Sequence, residues 1–196
     1  MAMNLVHRWL CRSERWARKV EHEMLPWTLA GVELGERVLE IGPGYGANLR
    51  VLVRQVPEVT ALEISAELAE GLRRRYGGPA TVVHGDGAAM PLPDDDFSAV
   101  VCFTMLHHVP TRQRQDALFR EAFRVLRPGG TFAGGDGVHG LAFRLLHLGD
   151  TYNPVPPATL PGRLAAAGFT GIEVSTAGGR AQRWRARKPA EPPPQP

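Results

Sequence analysis

Cysteine is scarce, with only Cys11 and Cys102 in the chain. Two thiols are too few for a disulfide framework and fit a reducing compartment. Cys102 falls inside a strongly apolar run, where a thiol acts as a small hydrophobe. Long hydrophobic runs are missing too, so no stretch reaches the ~20 apolar residues that cross a bilayer. The first residues carry charge where a secretory signal would be apolar. No charge of one sign dominates: 23 Lys and Arg against 20 Asp and Glu leave a formal +3. The basic residues gather near the two ends, at Arg8, Arg12, Arg15, Arg18 and Lys19 and again at Arg180, Arg183, Arg185, Arg187 and Lys188. Aromatics make up 7% of the chain and form no ladder beside those charges. Two solvated basic faces are therefore expected, and not a nucleic-acid partner. Cys and His show no zinc-ligand spacing, no Gly-x-Ser-x-Gly elbow is present, and no P-loop lysine follows the glycines. The expectation is a cytoplasmic chain with no metal and no transmembrane segment, its oligomeric state left open.

What is present suits one packed core, since 43% of the 196 residues are hydrophobic. Over residues 5–25, Leu5, Trp9, Trp16, Val20 and Met24 recur at helical spacing, with Val6, Leu10 and Ala17 beside them. This predicts one amphipathic helix docked on its own domain, with Trp16, His22 and Trp27 as contacts if it serves as a lid. Beyond it, β-type runs at 37–41, 59–63, 81–84, 97–103 and 131–135 alternate with helical stretches. Such alternation marks a parallel sheet covered on both faces. Ser65 caps one helix, and a second over 112–126 stops at Arg127-Pro128-Gly129-Gly130. Residues 141–148 and 161–167 read as short helices, and 169–175 and 181–187 as strands joined through Gly178-Gly179. In the last strand Arg183, Arg185 and Arg187 share one face and Trp184 takes the other.

The strongest local signal is Val38-Leu39-Glu40-Ile41-Gly42-Pro43-Gly44-Tyr45-Gly46, a buried strand entering a glycine-rich turn and then a helix. Glycines there remove side-chain bulk, and the free amides of the helix start favour a negative group such as a carboxylate. Gly42, Gly44 and Ala47 alone also satisfy a loose dinucleotide fingerprint. Two acids sharpen the signal. Glu63 ends the second strand, where a carboxylate can accept from both hydroxyls of a ribose. Asp86 follows the third strand in Gly85-Asp86-Gly87, placed to accept from an adenine amino group.

Together with Met90-Pro91-Leu92-Pro93-Asp94, Leu106-His107-His108-Val109 and the run 126–130, these residues resemble the class I S-adenosylmethionine-dependent methyltransferases, particularly the type 11 small-molecule group, over residues 37–136. The resemblance implies an α/β fold, a Rossmann-like, seven-stranded, mostly parallel sheet with helices on both faces and an antiparallel C-terminal hairpin strand. It implies that Gly42 and Gly44 line the amino-acid end of S-adenosylmethionine, Glu40 orients its amino group, Glu63 holds the ribose, and Asp86 with Gly87 meets the adenine. It extends the cofactor contacts to Gly46, Ile64 and Phe103, with S-adenosylhomocysteine as product. The expected layout is an amphipathic helix or lid over 1–30, a methyltransferase domain over 31–188, and a disordered tail over 189–196, the last read from its proline content and low hydrophobicity. Two departures stand out: Phe97-Ser98 replaces the family's Phe-Asp, and Gly134-Gly135 soften the fifth strand, where glycine often marks close approach by another backbone or a ligand, leaving room for a substrate.

His107 and His108 are the candidate catalytic bases, since they follow the fourth strand. If the strand persists, only one can face the site, and His107 is favoured. Asp136, His139, His147, Asp150, Tyr152 and Asn153 lie on the long connection leaving the fifth strand, a length that suits a lid. Asn153-Pro154-Val155-Pro156 lies after the wrong strand for a base amino-methylase. The expected reaction is in-line methyl transfer to a small molecule, of aromatic or isoprenoid type. The alternatives are RNA or protein methylation, a nicotinamide oxidoreductase, and a non-catalytic cofactor-binding protein.

Overall fold

The computed structural model describes residues 4–190, so most of the tail expected over 189–196 lies outside the described residues. Seven strands form one sheet in the order β3-β2-β1-β4-β5-β7-β6. They are β1 (Arg37–Ile41), β2 (Glu58–Glu63), β3 (Thr81–His84), β4 (Phe97–Phe103), β5 (Leu126–Gly137), β6 (Thr170–Ala177) and β7 (Ala181–Arg187). The first five pair in parallel, while β7 runs antiparallel to both β5 and β6. The Rossmann-like expectation holds, including the single reversed strand. The order reverses between β1 and β4, the position where open α/β sheets present a crevice at their strand carboxyl ends.

Two-residue alternation divides the core. Val38, Ala99 and Val101 face one layer with Leu49, Leu52 and Leu72. These leucines come from α4 (Leu49–Gln55) and α5 (Ala66–Tyr76). Leu39, Val100 and Cys102 face the other layer with Leu118, Phe119 and Leu164, from α6 (Arg112–Val125) and α8 (Leu160–Ala166). Strands buried on both faces read as near-continuous apolar runs because neither side meets water. Ser98, in place of the family's acid, accepts from the Arg37 N–H at 2.9 Å and lies 2.7 Å from the Leu34 carbonyl, so it ties the loop before β1 to β4.

Two expectations are corrected. Residues 5–25 are not one helix. Ser13 is extended (φ −77, ψ 145), ending α1 (Leu5–Arg12), and its hydroxyl accepts from Trp16 N–H to open α2 (Glu14–Lys19). A π-helical turn at Val20–Met24 then leads into α3 (Leu25–Thr28). Ser prefers such a cap to a helix interior because its oxygen satisfies an otherwise free amide. Val20 enters the core as expected and Leu25 joins it, but Leu5, Val6 and Trp9 are 81%, 67% and 73% exposed. Polar bonds orient α1 instead, with the Asn4 side-chain amide donating to the carbonyls of Leu146 and Leu148 at 2.8 and 3.1 Å. This fastens α1 beside α7 (Leu141–Leu146). The second correction concerns Gly134-Gly135, where the protein's own atoms, the Cys102 carbonyl among them, fill the space expected for a substrate. A Cβ on Gly134 would stand 2.3 Å from the Trp184 ring, and one on Gly135 would stand 2.8 Å from the Thr28 hydroxyl. No helix among the described residues is long and apolar enough to cross a membrane.

Candidate functional site

A cavity opens at the carboxyl ends of β1, β2 and β4, walled by Gly42, Gly44, Glu63, Ile64, Asp86, Gly87, Phe103 and His108. The three glycines of the turn have positive φ of 67°, 56° and 83° at Gly42, Gly44 and Gly46, a region that excludes most side chains. Each answers a different need. A Cβ on Gly42 would collide with Met105 and one on Gly46 with Leu72 and Tyr76, whereas one on Gly44 would meet nothing within 4 Å. Gly44 therefore leaves bare backbone in the wall, while Gly46 faces helix packing and does not line the cavity.

Glu63, 4% exposed, bridges two elements. Its Oε2 accepts from Gly44 N–H at 3.0 Å and its Oε1 from Ser65 N–H at 2.9 Å. Asp86 accepts from Ala88 N–H at 2.9 Å and pairs with Arg114. Glu40 is buried behind the turn. One of its carboxylate oxygens has no hydrogen-bond partner among the described residues. Burial pushes its carboxyl up to about 8, a bond from cavity-lining Asn48 opposes that rise, and the charge of Glu63 adds to it.

Thr104, at the end of β4, holds φ at +48° and donates its N–H to the Gly135 carbonyl at 2.8 Å. Non-glycine residues in that region are uncommon and cluster at functional sites. The chain then enters a 3-10 turn, Leu106–His108, so strand alternation no longer governs the two histidines. His108 lines the cavity. His107, preferred on sequence, is buried outside that lining, its Nδ1 2.5 Å from Asp136 Oδ1 and its backbone N–H donating to Asp136 Oδ2 at 2.9 Å. Burial first, and the neighbouring His107, His7 and His147 rings second, push His108 down to about 3.

Of the three lid contacts expected, Trp16 lines the cavity. Trp27 instead lies under Arg183, 5.2 Å from ring centroid to guanidinium carbon. His7, Cys11 and Arg114 line it unforeseen. The spacing of His7 and Cys11, four apart on one helix face, was the available signal. None of the six polar residues expected on the connection after the fifth strand lines the cavity, and Asp136 lies within β5 itself. The Tyr152 hydroxyl and His139 Nδ1 stand 3.2 Å apart, and Asn153 holds the carbonyls of His107 and Val109. His147 and Asp150 reach back to α1, where Asp150 stands 2.8 Å from His7 Nδ1. The absence of zinc-like spacing did not keep the histidines apart. The ring of His147 lies 4.5 Å from that of His7, 4.7 Å from that of His107 and 5.3 Å from that of His108.

A family model described as a methyltransferase domain matches residues 39–134. The chain is 37% identical over 101 residues to a fatty-acid O-methyltransferase of Mycolicibacterium smegmatis, covering 50% of this chain and 36% of that protein. It is 36% identical over 99 residues to a demethylmenaquinone methyltransferase of Clavibacter sepedonicus, covering 49% of this chain and 39% of that protein. The match thus spans less than half the length of these curated relatives. Among solved structures, the Haemonchus contortus phosphoethanolamine N-methyltransferase 2 in complex with S-adenosylmethionine superposes with a TM-score of 0.73 at 15% identity, covering 94% of this chain and 56% of that one. At that identity the likeness shows the fold.

Proposed function

We propose that the chain, whose residues 39–134 match the methyltransferase-domain family, is a class I enzyme of the type 11 group that uses S-adenosylmethionine to methylate a small-molecule acceptor. The observation that carries the proposal is the cavity at the ends of β1, β2 and β4, where bare backbone at Gly44 adjoins the Glu63 carboxylate and Asp86 stands on the same wall. The residues fit the cofactor. The free lone pairs of Glu63 would accept from the ribose hydroxyls, Asp86 and Gly87 would meet the adenine, and Ile64 and Phe103 would supply apolar contact. The glycine turn would receive the amino-acid end, and the unpartnered oxygen of Glu40 suits an ammonium. The bound cofactor supplies a sulfonium methyl group that is already electrophilic.

The protein's own task is to hold an acceptor in line and exclude water, and positioning alone can supply roughly 7–11 kcal/mol. A general base works best with a pKa near the working pH, so His108, pushed down to about 3, acts by placing the acceptor. His107 is held away from the cavity by Asp136. The described part of the expected lid, residues 4–30, serves as one through His7, Cys11 and Trp16, over a domain spanning 31–188. The apolar lining at Leu68, Met105, Val109 and Leu118 favours a largely apolar acceptor. This is the kind of molecule that the names of the fatty-acid and demethylmenaquinone relatives describe.

Calorimetric titration with S-adenosylhomocysteine tests the reading. The unaltered chain takes up one equivalent, and Glu63→Ala and Asp86→Ala each bind at least about tenfold more weakly, a loss of about 1.4 kcal/mol, with unchanged circular dichroism. Absence of uptake, or full affinity in both variants, refutes it. A labelled-donor screen of fatty acids and quinols then identifies the acceptor. Transfer to RNA alone, with affinity falling steeply as salt rises, would reassign the substrate class.

A further inference from the structure

We propose that His7, His108 and His147 form a site for one divalent transition-metal ion of the zinc class, at the edge of the cavity. The three side chains come from α1, from the 3-10 turn after β4 and from the end of α7. One ligand atom of each lies within 4.8 Å of the other two. All three residues are buried, at 6%, 6% and 2% exposure.

Hydrogen bonding presents the correct nitrogen. His108 Nδ1 lies 3.2 Å from the Thr151 carbonyl, and His147 Nδ1 lies 2.7 Å from the Phe143 carbonyl. A carbonyl oxygen only accepts, so the proton sits on Nδ1 and the lone pair on Nε2. His7 Nδ1 meets the Asp150 carboxylate at 2.8 Å, which selects the same tautomer. Metal-bound histidines are oriented in this way, the far nitrogen donating to a carboxylate or carbonyl. The Nε2 of His147 is buried and has no partner among the described residues. Such an orphaned group is unfavourable to bury, and an ion bound there would satisfy it. Burial also holds His108 and His147 toward the neutral form that ligates.

Three imidazoles without thiolate or direct carboxylate select Zn2+, Co2+, Ni2+ or Cu2+ over Mg2+ or Ca2+, which prefer oxygen. Three protein ligands leave a fourth tetrahedral position open. His7 and His108 also line the cavity, so, on the methyl-transfer reading, that position suits an oxygen or sulfur atom of the acceptor. His7 is the ligand that would join the ion to α1, clasping the proposed lid to the site.

The test uses the untagged chain, stripped by chelator and titrated with Zn2+ against a competing indicator. One equivalent binds, the melting temperature rises, and Co2+ in its place gives the visible bands of a tetrahedral site. His7→Gln and His147→Gln, checked for folding by circular dichroism, each weaken binding at least about tenfold, and Asp150→Asn weakens it about 10- to 100-fold. His84→Gln, on β3, leaves it unchanged. Substoichiometric uptake by the unaltered chain, or unchanged affinity in both ligand variants, overturns the proposal. S-adenosylhomocysteine titration of the same samples separates the readings. Uptake without zinc binding sinks the metal site alone, whereas zinc binding without uptake sinks the cofactor assignment and leaves the metal site standing.

Discussion

Glu40 ends a buried strand with a carboxyl that burial raises from 4.5 to about 8. Its contribution to stability is full below pH 4.5 and is lost as pH rises from there through about 8, because the folded state resists the charge that the unfolded state accepts. Glu40→Gln abolishes that dependence. Its melting temperature should exceed that of the unaltered chain by at least about 2–4 °C at pH 8, converging toward pH 5, while S-adenosylhomocysteine binds at least about tenfold more weakly. An ammonium arriving beside Glu40 favours its ionised form, so binding at pH 7 releases a proton. Titration in phosphate and in Tris should therefore give different enthalpies, and equal enthalpies would remove Glu40 from the site. Two glycines make a matched pair. Gly44→Val meets open space and costs the fold only about 1–2 kcal/mol for its positive φ, yet abolishes cofactor binding. Gly134→Val collides with Trp184, so denaturant titration shows the fold weakened by about 1–3 kcal/mol or more while cofactor affinity is kept.

The C-terminal hairpin and the N-terminal segment show what an element needs beyond its own pattern. The hairpin was legible because Gly178 and Gly179 both take the positive φ that a tight turn between twisted strands demands (54° and 64°). Alternation also sends Trp184 inward, its ring centre 5.9 Å from that of Phe132. Trp184→Ala should cost about 3–5 kcal/mol in urea denaturation. Helical spacing over 5–25 was equally clear and still misled, since periodicity says which residues share a face and nothing about what that face meets. Hydrogen bonds from Asn4 to a helix 142 positions away turn α1 so that His7 is buried and Leu5 exposed. Asn4→Ala should accelerate amide exchange across residues 5–12 and leave β1 to β5 protected.

At the scale of the whole molecule, ligand linkage gives the broadest check. S-adenosylhomocysteine at 100 times its dissociation constant should add about 2.7 kcal/mol of stability, seen as a melting-temperature rise of about 5–11 °C, with NAD giving none. By itself the sequence determined the alternation of strands and helices, the glycine turn after β1 and the acids closing β2 and β3. Each is written in neighbouring residues through two-residue alternation, helical spacing and turn preference. Only the tertiary structure decided which of His107 and His108 reaches the cavity, since that depends on Thr104 breaking the strand and Asp136 claiming one ring. It likewise decided that Trp184 fills the space over Gly134, and that His7 meets Asp150 across 143 positions of chain. Contacts of that kind follow from how whole layers settle against one another, and no local pattern encodes the distances that result.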